Sequence, residues 1–325
     1  MNKPRMLLVS GSILLACRIM AAAQPAPNQS PSSLLVNALD RNGDAVRDLT
    51  KDNFRVKVNG HPAALLDARY SLAPRRIVIL LDVSGSMVNG TGSRKWQIAR
   101  DAVGDLLAST PADVQLALLT FSSRIGDVFD FPHGRSSITT WLNSGPSQRS
   151  TVKALPETAF FDAVAAAAKL LDPARDGDVI YVITDGGDNR SHLSDADEKK
   201  RLLQSHIRLF AFLFAEEMPT PEESSGADSV VNLARDTGGY VFRVSSHWDG
   251  TAMADNDHND RLRERMRLFG RALNIQVNGF YSLLLDAPTP TRKLSKVSLE
   301  IVDGKGKVRK DLTSIYQGIL PEQGK

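Results

Sequence analysis

The sequence predicts an α/β protein: a doubly wound, mostly parallel sheet with helices on both faces, flanked by a small β module. Three observations lead there. Two short apolar runs, Arg76 to Leu81 and Val179 to Ile183, are each followed closely by a carboxylate, at Asp82 and Asp185. Around them apolar runs alternate with segments of helical period, the pattern of parallel strands covered by crossover helices. At both ends of the chain the apolar residues recur in twos, the period of half-buried strands.

In order, Ser33 to Leu39 reads as a strand, Asp40 to Asp44 as a turn, and Phe54 to Val58 as an alternating strand; Ala63 to Tyr70 adds another. Ala99, Ala102, Val103 and Leu106 recur at i, i+3, i+4 and i+7, so Ser93 to Ala108 is expected to be a helix with that face inward. Val114 to Phe121 is the next buried strand, and Ile125 to Phe131 an antiparallel edge. The run Ala163 to Ala168 favours a helix over Thr158 to Leu171. Leu209 to Phe214 continues the sheet, and a helix from Ser229 to Asp236 stops at Gly238-Gly239. Leu262, Met266, Phe269 and Leu273 make an apolar stripe on a closing helix, with Arg261, Arg263, Arg265, Arg267 and Arg271 on a solvated face. Phe280 to Leu285, Val297 to Ile301 and Leu312 to Tyr316 are further strands, with a turn at Asp303 to Lys307. Neither end holds enough strands for a stable sheet, so both are expected to pair into one module. The implied division is an export signal over 1–23, a linker over 24–32, an N-terminal β segment over 33–73, a central domain over 74–245, a closing helix region over 246–278 and a C-terminal β segment over 279–325.

The 325 residues, 42% apolar and 24% charged, fit a soluble globular protein. The formal charge of +3 includes Lys3, Arg5 and Arg18, so a chain beginning at Gln24 is formally neutral and lacks the basic excess that nucleic acid demands. Lys3 and Arg5, then an apolar stretch from Met6 to Cys17, then Ala21-Ala22-Ala23, have the order of a cleaved export signal; the apolar run is too short for a permanent span. Leu14-Leu15-Ala16-Cys17 supplies an alternative, a lipoprotein box that would anchor the chain through Cys17, against which the bulk of Leu15 counts. Cys17 is the only cysteine, so no disulfide holds the exported chain together. A periplasmic or extracellular location follows from either route.

The stretch Asp82-Val83-Ser84-Gly85-Ser86-Met87 sets a carboxylate and two hydroxyls at alternate positions where a strand gives way to a helix. Oxygen donors with few carboxylates suit Mg²⁺ better than Zn²⁺. Capping explains Ser84 or Ser86 singly, since serines are common where helices begin. It does not explain a second strand that delivers Asp185 in the same way. Here the chain resembles the von Willebrand factor type A domain over roughly Pro74 to Ser245, and in particular its metal-ion-dependent adhesion site, a Rossmann-like arrangement with the signature Asp-x-Ser-x-Ser, a distant Thr and a distant Asp. By that resemblance Thr158 fills the threonine position and the metal set is Asp82, Ser84, Ser86, Thr158 and Asp185. The likeness implies that Ser84 and Ser86 bind Mg²⁺ (or Mn²⁺ or Ca²⁺) directly, that Thr158 joins conditionally, and that Asp82 and Asp185 act largely through bound waters. It further implies a protein partner presenting an Asp or Glu. The glycines often found before the threonine are replaced by Leu155-Pro156-Glu157, which predicts a stiffer loop with an added negative charge. The N-terminal Leu49 to Phe54 and the strands after Phe280 resemble a related family of exported bacterial proteins.

An enzyme is not expected. Six scattered histidines, no Gly-x-Ser-x-Gly elbow and no phosphate-binding Gly-x-x-x-x-Gly-Lys loop leave hydrolysis at the same cation without a base or an orienting group. A metal-independent assembly scaffold is the other alternative. Asp40 to Asp44 lacks the glycine and acidic positions of a calcium loop and reads as a turn, and Asp255 to Asp260 reads as the cap of the following helix.

Overall fold

The computed structural model describes residues 32–72, 75–88, 92–144, 157–215, 221–245, 256–286 and 294–320, with backbone alone at 92–94, 215, 221–225, 245, 256–263 and 266. The expected export signal, Cys17, nearly all of the expected linker, Leu155-Pro156 and the side chains of Arg261, Leu262, Arg263 and Met266 lie outside the described residues.

Six strands form the central sheet: β4 (Arg76–Asp82), β5 (Gln115–Phe121), β6 (Ile125–Phe129), β7 (Val179–Thr184), β8 (Arg208–Ala215) and β9 (Val241–Ser245), in the order β6-β5-β4-β7-β8-β9. All neighbours are parallel except β6, which returns antiparallel along β5 as the edge strand. β4 is buried along its whole length, so its residues serve two cores. Ile77, Ile79 and Leu81 pack with residues of α2 (Gly92–Ser109), α3 (Gly134–Asn143) and α7 (Asn256–Asn278). Val78 and Leu80 pack with residues of α4 (Phe160–Leu170), α5 (Asp195–Gln204) and α6 (Pro221–Thr237). A four-residue helix α1 (Gly85–Val88) follows β4 directly. On α7, Phe269 and Leu273 are buried, joined by Val277, while Arg265, Arg267 and Arg271 are exposed. α7 already begins at Asn256, so the acidic stretch runs into the helix instead of preceding it.

The strands at the two ends of the chain make a second sheet. β1 (Ser32–Leu39), β2 (Phe54–Val58), β3 (His61–Ser71), β10 (Phe280–Asp286), β11 (Ser295–Ile301), β12 (Thr313–Tyr316) and β13 (Ile319–Leu320) lie in the order β12-β1-β10-β3-β2-β11-β13, every pair antiparallel. The alternation in β2 and β11 points Phe54, Val56, Val297, Leu299 and Ile301 into one core. Asp40 and Asp303 each close a turn through a side-chain oxygen: Oδ1 of Asp40 accepts the N–H groups of Asn42 and Asp44, and Oδ1 of Asp303 those of Lys305 and Lys307. The Asp40 carboxylate therefore works on its own backbone, as a turn and not a cation loop.

All described residues lie in one compact unit, Pro31–Lys325. The two sheets meet at the buried guanidinium of Arg208 on β8. Its Nη1 donates to Asn37 Oδ1 on β1 at 2.6 Å and its Nη2 to the Gln276 carbonyl on α7 at 3.1 Å. Asn37 Nδ2 in turn donates to the carbonyls of Gln276 and Gly279 at 3.0 and 2.7 Å. α3 and α5 were not legible in the sequence: α3 has three buried residues and α5 a mostly charged surface, so neither carries a long apolar stripe.

Candidate metal centre

Asp82 ends β4 and Thr184 ends β7, and the parallel register that matches Leu81 with Ile183 brings these two termini side by side. This is the carboxyl edge of the sheet, at the place where strand order reverses direction from β5 to β7, the usual position of a ligand site in an open α/β sheet. Asp82 is wholly buried. Its Oδ1 accepts the Ser84 N–H at 2.8 Å and its Oδ2 the Thr184 hydroxyl at 2.7 Å. The Ser84 carbonyl receives the N–H groups of Met87 and Val88 and so opens α1, while its hydroxyl lies 3.2 Å from Ser86 Oγ. Main chain, then, starts the helix, and the two hydroxyls pair with each other. Ser84 is buried and Ser86 is exposed, so the pair runs from the interior to the surface.

Thr158 stands just before α4 and is bound to the loop after β7 through its backbone. Its N–H donates to Asn189 Oδ1 at 2.8 Å, and its carbonyl accepts from the N–H groups of Asn189 and Arg190 at 3.0 and 3.2 Å. The same loop caps α4: Asp188 Oδ1 accepts the Phe160 N–H at 2.8 Å, and Ser191 Oγ the N–H groups of Phe161 and Asp162. A Cβ placed on Gly187 would lie 4.0 Å from Thr158 Oγ1, so the threonine hydroxyl faces the chain two residues after Asp185. All five residues singled out in the sequence thus gather at one edge of the sheet. Leu155-Pro156, on which the expectation of a stiffer loop rested, lie outside the described residues, and the described part of the loop is held at Thr158 by the hydrogen bonds to Asn189 and Arg190. Glu157, expected to add negative charge, is paired with Arg190 at 3.5 Å on the surface.

The loop carrying Asp185 is held from behind by α6. Gly186 has φ +98°, and a Cβ on Gly226 of α6 would run into the Gly186 carbonyl, so loop and helix touch backbone to backbone. Asp185 Oδ2 is 3.0 Å from Lys95 Nζ, and the two side chains are 11% and 8% exposed.

Burial, and next the like charge of Asp185, push the Asp82 carboxyl up to about 7, against the opposing hydrogen bonds from Thr184 and Ser84. A cation beside both carboxylates would relieve both effects. The donor set fits a hard divalent ion: two carboxylates and three hydroxyls, all oxygen. Among the described residues no three His, Cys, Asp or Glu side chains cluster, so the hydroxyls are indispensable to any such site. At the same sheet edge the Ser122 hydroxyl, just past β5, is buried without a hydrogen-bond partner among the described residues.

Thr184, Lys95, Asp188, Asn189 and Ser191 were not singled out as site residues from sequence. One signal was available for Lys95: it stands four residues before Ala99 and seven before Ala102, on the buried stripe of α2, where a lysine requires a partner. The other four act on backbone groups or on Asp82 across loops, which no local pattern encodes.

The fold is thus an α/β domain whose parallel sheet ends in two neighbouring carboxylates, with hydroxyls on adjoining loops. Residues 77–187 match the family model described as von Willebrand factor type A domain. Among solved structures the chain is similar to the human COPII-coat protein Sec24c (12% identity, 79% of this chain and 46% of that one, TM-score 0.46). It is also similar to proximal thread matrix protein 1 of the mussel byssus (19% identity, 66% and 49%, TM-score 0.45) and to a von Willebrand factor type A protein from Catenulispora acidiphila (13% identity, 92% and 76%, TM-score 0.43). Likeness at these scores carries no function. The chain spans about half the length of the first two, 46% and 49%. No curated protein matches it.

Proposed function

We propose that this chain is a metal-ion-dependent protein-binding module of an exported bacterial protein. Ser84, Ser86 and Thr158 would hold Mg²⁺ (or Mn²⁺ or Ca²⁺) through their hydroxyls, with Asp82 and Asp185 balancing charge. When bound, the ion supplies an electrophile whose remaining position an Asp or Glu of a partner protein can fill. The observation that carries this reading is Asp82 itself: a buried carboxylate with each oxygen already oriented by a donor, next to a second carboxylate on the neighbouring loop. Burying two like charges together is costly unless a cation accompanies them. Thr184 and the Ser84 N–H fix the rotamer of Asp82. The bonds from Asn189 and Arg190 fix Thr158, and Ser86 offers the exposed side of the set to a partner.

No helix among the described residues is long and apolar enough to cross a membrane. Export to the periplasm or the cell exterior, by cleavage after Ala23 or by an anchor at Cys17, belongs to the same proposal and rests on the N-terminal sequence.

Calorimetric titration of the exported chain with Mg²⁺ and Mn²⁺ tests the site. A saturable heat at one ion per chain, lost in Asp82→Ala, is expected; a pull-down with and without chelator then reports whether a partner depends on the ion. Absence of any metal heat would leave the alternative of a metal-independent scaffold. The ion pair of Lys95 with Asp185 favours that alternative, because it already places a positive charge at the site.

A further inference from the structure

Lys95 belongs to the first turn of α2, where the helix macrodipole disfavours a cation, and on the helix face that otherwise buries Ala99, Ala102 and Val103. A lysine so placed loses hydration and sits against the dipole, and a nearby anion offsets both costs. That anion is Asp185, 3.0 Å away and nearly buried with it. Asp185 is also the carboxylate whose like charge presses on Asp82. A single acidic pair is therefore contested by two kinds of cation: one tethered to α2 and one free in solution.

The geometry points to Lys95 as a tethered counter-ion of the candidate metal centre, whose ammonium neutralises Asp185 in the metal-free protein and lowers the affinity of the site for a divalent ion. The inference rests on the divalent-cation reading above and deepens it. Lys95 is a positioning and tuning residue, since it acts through Asp185. A divalent ion entering beside Asp82 and Asp185 meets a fixed positive charge in surroundings of low dielectric, where repulsion is weakly screened. The ammonium must then give up Asp185 or share it. The site is made stable without metal at the expense of holding metal less tightly. A purely structural ion pair that pins α2 to the end of β7 predicts something else: its removal would destabilise the chain equally with and without metal, and affinity for the ion would not rise.

The test compares wild type, Lys95→Met and Lys95→Arg by calorimetric titration with Mg²⁺ and Mn²⁺, and by melting temperature in chelator and in saturating Mg²⁺. Lys95→Met is expected to bind either ion at least ~10-fold more tightly than wild type, with Lys95→Arg remaining near wild type because it keeps the charge. Lys95→Met is further expected to melt below wild type in chelator and to gain more on adding Mg²⁺. Should Lys95→Met not fold in chelator, Lys95→Gln, purified in Mg²⁺ and titrated after exchange into dilute Mn²⁺, carries the same comparison. If wild type binds the ion and the neutral variants bind equally or more weakly, Lys95 has no such role and the metal centre stands. If none of the proteins binds a divalent ion, the metal centre falls and the inference with it.

Discussion

Asp82 concentrates the chemistry of the site in one side chain, and its proton is the most direct handle on it. Burial and the neighbouring charge of Asp185 raise it from 3.8 to about 7 in the folded, metal-free protein. Between those values the folded chain holds a proton that the unfolded chain has released, so this group's contribution to stability falls as pH rises from 3.8 through about 7, and levels off above. The difference in unfolding free energy between wild type and Asp82→Asn, measured by urea denaturation in chelator, is therefore expected to shift against wild type from pH 5 to pH 8. A difference that stays flat across this range would show that Asp82 remains charged throughout. Asp82, Ser84 and Ser86 stand out in the sequence because they alternate within one short stretch, and Asp185 because it follows its own buried strand. Thr184 was not: a threonine at the end of an apolar strand reads as a strand former, and only the register of β4 with β7 turns its hydroxyl into the donor that orients Asp82.

The loop between β7 and α5 works as an element in its own right, reaching back through Asp188, Asn189 and Ser191 to hold the start of α4 and the Thr158 backbone. The two ends of the Asn189–Thr158 contact should therefore respond differently to mutation. Thr158→Ala removes the hydroxyl and one methyl and keeps every main-chain bond, so the melting temperature is expected to stay near the wild-type value while Mg²⁺ affinity falls roughly 10-fold or more. Asn189→Ala leaves the Thr158 N–H without its acceptor, which costs about 1–3 kcal/mol of stability, and it weakens Mg²⁺ binding as well by freeing the loop. Paired thermal melts and calorimetric titrations check both, and a Thr158→Ala protein with undiminished affinity would remove the threonine from the ligand set. The strands were legible to within a residue or two wherever they were continuously apolar or alternated, as in β2, whose bounds match the reading from Phe54 to Val58. α5 was not, because its buried side is made by Leu202 and Leu203 with the carboxylate of Glu198.

At the scale of the molecule, the central sheet and the sheet built from both chain ends are fastened at Arg208, a buried guanidinium that donates to an amide oxygen and a carbonyl, with the rings of Phe210 and Phe280 within 5.5 and 5.0 Å of it. Burial lowers its pKa. Asn37→Ala takes away the acceptor at β1 and both Asn37 hydrogen bonds to the end of α7, so a loss of about 1–3 kcal/mol is expected in urea denaturation, spread over a single transition because the sheets unfold together. Two separated transitions would mean that the sheets are energetically independent. This junction was hidden in the sequence, since Asn37 lies inside an apolar strand and Arg208 at the start of another, 171 positions apart. One shared cation at the carboxyl edge of the central sheet underlies the proposed function, and crystals soaked in Mn²⁺ test that most directly. An anomalous difference peak within about 2.0–2.3 Å of the Ser84 and Ser86 hydroxyls, between Asp82 and Asp185, is the predicted result; a peak elsewhere, or none at saturating Mn²⁺, would contradict it.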